Sequence, residues 1–344
     1  MRTAALLVLL FLFSTQAFSQ SSYRRAVAKP GDGYQTLLLR HGLSPSRHLR
    51  QFQELNKKRL GRNKTLVVGR AYLLPNVGSA TKKKPAARTT AATPATSKKP
   101  IPLSQLFGGQ YGAPQVRDRA LGGAVYYLSS GHGGPDPGAI GQYGSAKLSE
   151  DEYAYDVTVR LARVLLEHGA TVYVMVQDPN DGIRDENVLK LDHDEMTYPQ
   201  QRIPLSQLGR LRQRISEVNR LHARHKGAYQ RLLALHVDSR SEGQNIDVFF
   251  YHHANSATGL RLAKNIHSVF TNRYKRAQPN RPYSGNVSER SSLYEVRNSH
   301  APAVFMELGN IRNQKDQRRF LVADNRQALA NWIYEGLLAD YRGR

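Results

Sequence analysis

The 344-residue chain contains no cysteine and a single tryptophan. Disulfide staples, thiolate metal sites and thiol nucleophiles are therefore all excluded. Any metal must be held by His, Asp or Glu. Acidic residues are scarce in the front part, where residues 20–103 hold 18 Lys and Arg against Asp32 and Glu54. Nucleotide-cradling GxGxxG and GKS/GKT motifs are missing, and so is a local HExxH zinc motif. Long apolar runs are missing too, with one exception. "AALLVLLFLF" follows Arg2 and precedes "AFS" before Gln20, the make-up of an export leader, and it is shorter than the roughly 20 residues a membrane span needs. The expectation is a signal peptide over 1–19 and a protein exported to the periplasm or cell wall, with no membrane attachment after cleavage.

The formal net charge of +23 is concentrated ahead of residue 104. A basic segment suggests a polyanionic partner. Export points away from nucleic acid and toward an anionic wall or envelope polymer; a solubilising tether is the plainer alternative. Residues 77–103, "VGSATKKKPAARTTAATPATSKKPIPL", lack apolar periodicity and are rich in Ala, Thr, Lys and Pro, which is linker chemistry. They divide a front unit, 23–76, from a back unit, 104–344.

The front unit reads as a strand, a Gly-Asp-Gly turn, a helical run through Leu37–Arg40, a second over Ser46–Asn56, and a strand in "AYLLP". With "PGDGYQTLLLRHGLS", "ELN" and "VVGRAYLLP", it resembles a LysM module, a βααβ unit that binds N-acetylglucosamine-containing glycans.

The back unit alternates strand and helix patterns. "GAVYYLSS", "ATVYVMVQ", "RLLALHVDS", "IDVFFYHH" and "APAVFMELG" read as strands. The stretch 152–169 reads as a helix with Val157, Leu161, Val164 and Leu165 on one face, stopped by Gly169. Further helices are expected over "LSQLGRLRQRISEVNRLHARH", "ATGLRLAKNIHSVFTNRY" and "NRQALANWIYEGLLADY". This order implies an α/β fold with a twisted, largely parallel sheet flanked by helices.

Ligands collect at strand ends in such folds. Three strand ends carry unusual polar groups: His132 in "SSGHGGPDPGAIG", His236 in "LHVDS" and Glu307 in "FMELGN". A carboxylate after "APAVFM" is costly to bury unless paired, protonated or near a metal. An acid cluster, Ser149–Glu152, opens the helix after the glycine turn. Two histidines and a carboxylate form a familiar donor set for catalytic zinc, with a second carboxylate as base. Their wide spacing matches no local zinc motif.

In order, "YYLSSGHGGPDPGAIG", "SEDEYAYDVTVRLARVLLEHG", "LHVDS" and "APAVFMELGNIRN" resemble the motifs of the zinc-dependent N-acetylmuramoyl-L-alanine amidases of the amidase-3 family, over about 122–342. The resemblance implies hydrolysis of the amide between N-acetylmuramic acid and the first alanine of the peptidoglycan stem. It implies Zn2+ held by His132, Glu150 and His236, with Glu152 the neighbouring rival for the carboxylate ligand, and Glu307 as catalytic base. The glycines would clear space around the metal and let substrate backbone lie close. Val237-Asp238-Ser239 and Asn310 depart from the family's usual residues without removing any of these groups.

Expected partners are peptidoglycan as substrate, an anionic wall polymer and an activator protein. Two rival readings stand beside the amidase: a wall-binding protein without hydrolytic activity, and a zinc peptidase cutting within the stem peptide. Other signals read as structure. "DPNDGIRDEN" is out of step with a calcium loop and reads as a turn, and "DHDE" (192–195) as a solvated acidic loop. His222, His225, His252 and His253 read as surface or packing residues. Residues 178–204 lack periodicity, and a groove-flanking gate and an ornamental loop are equally good readings.

Overall fold

The computed structural model describes residues 23–29, 32–41, 43, 45–61, 65–75, 101–102, 104–239 and 245–344. The leader and nearly all of the linker expected from the sequence lie outside these residues. The chain divides into two compact units, Met1–Ala92 and Thr93–Arg344.

In the front unit, strand β1 (Arg25–Val27), helices α1 (Tyr34–Arg40) and α2 (Pro45–Leu55) and strand β2 (Ala71–Leu73) follow in order, with β1 and β2 antiparallel. Leu37, Leu38, Phe52 and Tyr72 form its core. Asn56 is buried at the end of α2. Its amide donates to the carbonyls of Phe52 and Leu73, both at 2.8 Å, and its oxygen accepts from the Leu73 N–H at 2.7 Å. One side chain thus both closes the helix and fixes β2, satisfying groups that water cannot reach.

The back unit begins with β3 (Ala124–Ser130), a hairpin of β4 (Ile140–Tyr143) and β5 (Ala146–Ser149), and α3 (Glu150–Glu167). Strand β6 (Thr171–Val174) is followed by the short β7 (Val176–Gln177), β8 (Met196–Thr197) and β9 (Gln201–Arg202), which form a small antiparallel sheet. Then come α4 (Gln207–Arg224), β10 (Tyr229–Asp238), β11 (Phe249–His252), α5 (Ala257–Ala277), β12 (Val287–Glu289) and α6 (Tyr294–Asn298). Strand β13 (Ala303–Asn310), α7 (Gln314–Leu321) and α8 (Ala323–Arg342) complete the unit.

The central sheet has the order β12-β11-β13-β10-β3-β6, and only the β11–β13 pairing is antiparallel. Alternation along the strands assigns two faces. Tyr126, Leu128, Leu233, Leu235, Val304 and Met306 face a core shared with α3, α5 and α8. Val125, Tyr127, Leu232, Ala234, Ala303 and Phe305 face α4 and α6. Helices on both faces explain why these strands read as nearly unbroken apolar runs.

Two expectations need correction. Helix α3 starts at Glu150 rather than 152, because its first turn is Glu150, Asp151 and Glu152, acids that suit a helix N-terminus but are invisible to hydrophobic periodicity. Val164 is only partly buried, while Thr158, Val159 and Arg160 on other sides of the helix are buried. The single strand read in "ATVYVMVQ" is broken at Met175, whose N–H donates to the Leu128 carbonyl while its own carbonyl accepts from Tyr198. Beyond the break the chain pairs with β8 instead of the central sheet.

Candidate active site

The alternation that builds the core also aims the site. On β10, His236 has the parity of Leu232 and Ala234; on β13, Glu307 has that of Ala303 and Phe305. Both therefore project on the α4–α6 side, at the C-terminal ends of parallel neighbours whose register sets His236 beside Glu307. His132 lies just past the end of β3, and Glu150 opens α3.

Three of these groups meet. Glu150 Oε1 is 3.0 Å from His236 Nδ1, and Glu150 Oε2 is 3.2 Å from His132 Nε2. One donor atom from each lies within 4.8 Å of the other two. Glu152 turns elsewhere: it pairs with Arg184 at 2.9 Å and accepts from the Asp192 N–H at 3.0 Å. Of the two glutamates, Glu150 is the one that lies beside both histidines. The cleft around the cluster has a volume of about 610 Å³, and Glu307, Arg290 and Arg312 also line it.

The glycines make this contact possible. A Cβ on Gly131 would fall on the His236 ring, and one on Gly138, where φ is +69°, would lie 2.6 Å from Glu150 Oε2 and 2.7 Å from the His132 ring. Space is thus cleared for the three side chains themselves. His132 also has φ +58°, a region uncommon for a residue with a side chain and a mark of local constraint. The turn is held from behind: Arg214 donates to the Ser130 and His132 carbonyls, and the Gly134 N–H donates to Glu195 at 2.7 Å.

Electrostatics set the site apart. Burial pushes the His132 pKa down, but hydrogen bonds to Asp136 and Glu150 outweigh it and raise it to about 9. Burial likewise opposes, and Glu150 and Glu295 overcome, a rise to about 10 at His236. Burial would raise Glu150, yet the two histidines hold it well below the usual carboxylate range. Glu307 goes the other way, raised to about 8 chiefly by burial, and its Oε2 has no hydrogen-bond partner. A cluster that draws positive charge beside a carboxylic acid reluctant to ionise is a reactive arrangement. Two imidazoles and one carboxylate, close enough to share one ion and without sulfur, fit zinc as a donor set.

Sequence reading missed the residues behind the histidines. Asp136 Oδ2 lies 2.9 Å from His132 Nδ1 and is itself paired with Arg210. Glu295 Oε2 lies 3.5 Å from His236 Nε2. Asp136 stood inside the glycine-rich stretch and was legible as a polar exception there. A lone acid in "SSLYEVRNSH" carries no such signal. The 192–195 acids are not merely solvated: Glu195 is buried and holds the Gly134 N–H, and His193 Nδ1 lies 2.8 Å from the Gly134 carbonyl. Residues 178–204 brace the glycine turn, and none of them lines the cleft. His225 bonds the Tyr173 hydroxyl at 2.7 Å, a packing role as expected.

The fold and site define a layered α/β architecture with a His–Glu–His cluster at the C-terminal edge of a mostly parallel sheet. The family profile of the N-acetylmuramoyl-L-alanine amidases (Amidase_3) matches residues 127–339, more than half of the chain, and the chain belongs to that family. It is an enzyme, a peptidoglycan amidase. A curated relative, the germination-specific N-acetylmuramoyl-L-alanine amidase of Bacillus subtilis (strain 168), is 22% identical over 218 residues, 63% of this chain and 80% of its own length. Among solved structures, the amidase AmiC2 of Nostoc punctiforme is 19% identical, covering 65% of this chain and 99% of that one, with a TM-score of 0.46. The CwlD amidase of Clostridioides difficile, solved in complex with the GerS lipoprotein, is 18% identical, covering 64% and 99%, with a TM-score of 0.48.

Proposed function

We propose that this amidase is an exported, zinc-dependent enzyme held on the wall by its front unit. His132 through Nε2, His236 through Nδ1 and the Glu150 carboxylate would hold the ion. The observation that carries this reading is the convergence of these three donors on one point from three separate elements. Zinc, when bound, polarises the substrate carbonyl and acidifies water.

The chain's own residues supply the rest. Glu307, its Oε2 unpartnered in the cleft, takes the proton of the attacking water and delivers it to the leaving alanine nitrogen. Burial of this carboxyl gives it a proton affinity near neutrality, where it can both accept and donate. Arg290 and Arg312 on the cleft wall suit a substrate carrying stem-peptide carboxylates. The front unit (23–76), read as a LysM-like module, and the basic linker (77–103) would concentrate the enzyme on glycan and anionic polymer without a new contact at the site. An activator protein belongs to the same proposal, prompted by the GerS complex of CwlD.

Digestion of purified peptidoglycan by the chain lacking residues 1–19, with and without a chelator, tests the reading. Mass spectrometry should find stem peptides with a free L-alanine amine, lost with chelator and restored by zinc. Bound zinc with no cleavage, even after an extract of the source envelope is added, would favour a wall-binding protein. Cuts within the stem would favour a zinc peptidase.

A further inference from the structure

Histidine ligands need more than proximity. The nitrogen facing the ion must be free of its proton, so the proton must reside on the opposite nitrogen, and an acceptor there fixes both tautomer and ring orientation. For His132 that acceptor is Asp136, at 2.9 Å from Nδ1. The ring of His236 is clamped between Phe305, stacked at 4.2 Å and 17° between planes, and the backbone at Gly131, where no Cβ fits. Its Nδ1 faces Glu150, and Nε2 is buried with no hydrogen bond.

We propose that Glu295 is the positioning residue for His236, holding the Nε2–H tautomer that leaves Nδ1 free to ligate. It comes from α6, a separate element about sixty residues beyond β10 in the chain. The residue is only 2% exposed, and its Oε2 stands 3.5 Å from Nε2, so a shift of a few tenths of an ångström makes a hydrogen bond. Its other oxygen accepts from the Ser129 hydroxyl at 3.3 Å, which aims the carboxylate. Ser129 has the parity of Val125 and Tyr127 on β3 and so shares the sheet face of His236 and Glu307. Each histidine thereby has a carboxylate on the nitrogen opposite Glu150. The inference rests on the reading of His132, Glu150 and His236 as a zinc site. A competing role for Glu295 is to balance the buried charge of Arg214.

The test uses the chain without residues 1–19, zinc affinity by competition with a chromophoric chelator, and ¹⁵N-histidine NMR of the zinc-loaded protein. Glu295→Gln keeps the shape and the Ser129 contact. It should weaken zinc binding about tenfold or more, the scale for a lost outer carboxylate. It should also shift the His236 Nε2–H resonance while leaving His132 in place, and Glu295→Asp should recover part of the affinity. Zinc affinity within twofold of the parent, with an unmoved His236 signal, overturns the proposal. So does a lowered thermal midpoint of the metal-free protein with affinity unchanged, which assigns Glu295 to Arg214. If Glu295→Gln fails to fold, Ser129→Ala decides, and unchanged affinity there also overturns it. Failure of the parent protein to bind zinc, with His236→Ala no different, overturns the underlying zinc reading instead.

Discussion

Glu307 is half-buried beside His236 on a neighbouring strand, with its Oε2 shielded from solvent, and desolvation of the carboxyl pushes its pKa up to about 8. Added positive charge in the cleft favours the carboxylate, so the ascending limb of kcat/KM against pH should lie at or below that value. Glu307→Gln should lower kcat by about 10²- to 10⁴-fold and remove that limb, with zinc content by elemental analysis unchanged. Loss of zinc in this variant would make Glu307 a ligand and not the proposed base. Gly138 offers a different check, because its substitution alters no polar group. Gly138→Ala drives a methyl toward Glu150 and His132 at a backbone angle that alanine disfavours. Zinc affinity should fall about tenfold or more even though all three proposed ligands remain.

At the scale of elements, 178–204 is a brace. Arg184 in this segment reaches Glu152 on α3, Arg326 from α8 donates to the Arg184 and Glu186 carbonyls, and the Tyr153 hydroxyl donates to the Asn187 carbonyl. Glu195 then holds the Gly134 N–H. Burial, with Asp151 nearby, raises the Glu195 pKa from 4.5 to about 8. The folded state thus binds this proton more tightly than the unfolded chain does. Its stabilising effect is full below about 4.5 and is lost as pH rises through about 8. Glu195→Gln cannot ionise and keeps an acceptor for Gly134, so its thermal midpoint should exceed the parent's at pH 8 and match it near pH 5. Parallel pH–stability curves for the two proteins would show that Glu195 is ionised throughout.

For the whole molecule, the proposed wall attachment through the positive charge ahead of residue 104 predicts a salt response. Retention on purified wall should fall steeply between 50 mM and 500 mM salt, because the attraction of exposed charges is screened. Removing residues 1–103 should cut the rate on intact wall severalfold and leave the rate on a soluble muramoyl-peptide unchanged. Equal loss on both substrates would place the front residues in folding or catalysis.

The layered α/β plan was legible in the order of residues, because strands covered on both faces must be apolar throughout and helices between them must carry a 3.6-residue stripe. The sequence also picked out His132, His236, Glu307 and the acid cluster Ser149–Glu152, since polar groups at apolar strand ends and beside a glycine-rich turn are local departures from that plan. Tertiary structure alone separated Glu150 from Glu152, two acids in one helical turn that differ only in which neighbours the packing brings. It alone set Asp136 behind one histidine and Glu295 behind the other, and drew Glu195 onto the Gly134 amide. Asp136 stands only four residues from His132, but the Glu295 and Glu195 contacts join residues about sixty apart in the chain, and an isolated acid in a short helix or loop reads the same in sequence whether it meets water or an imidazole.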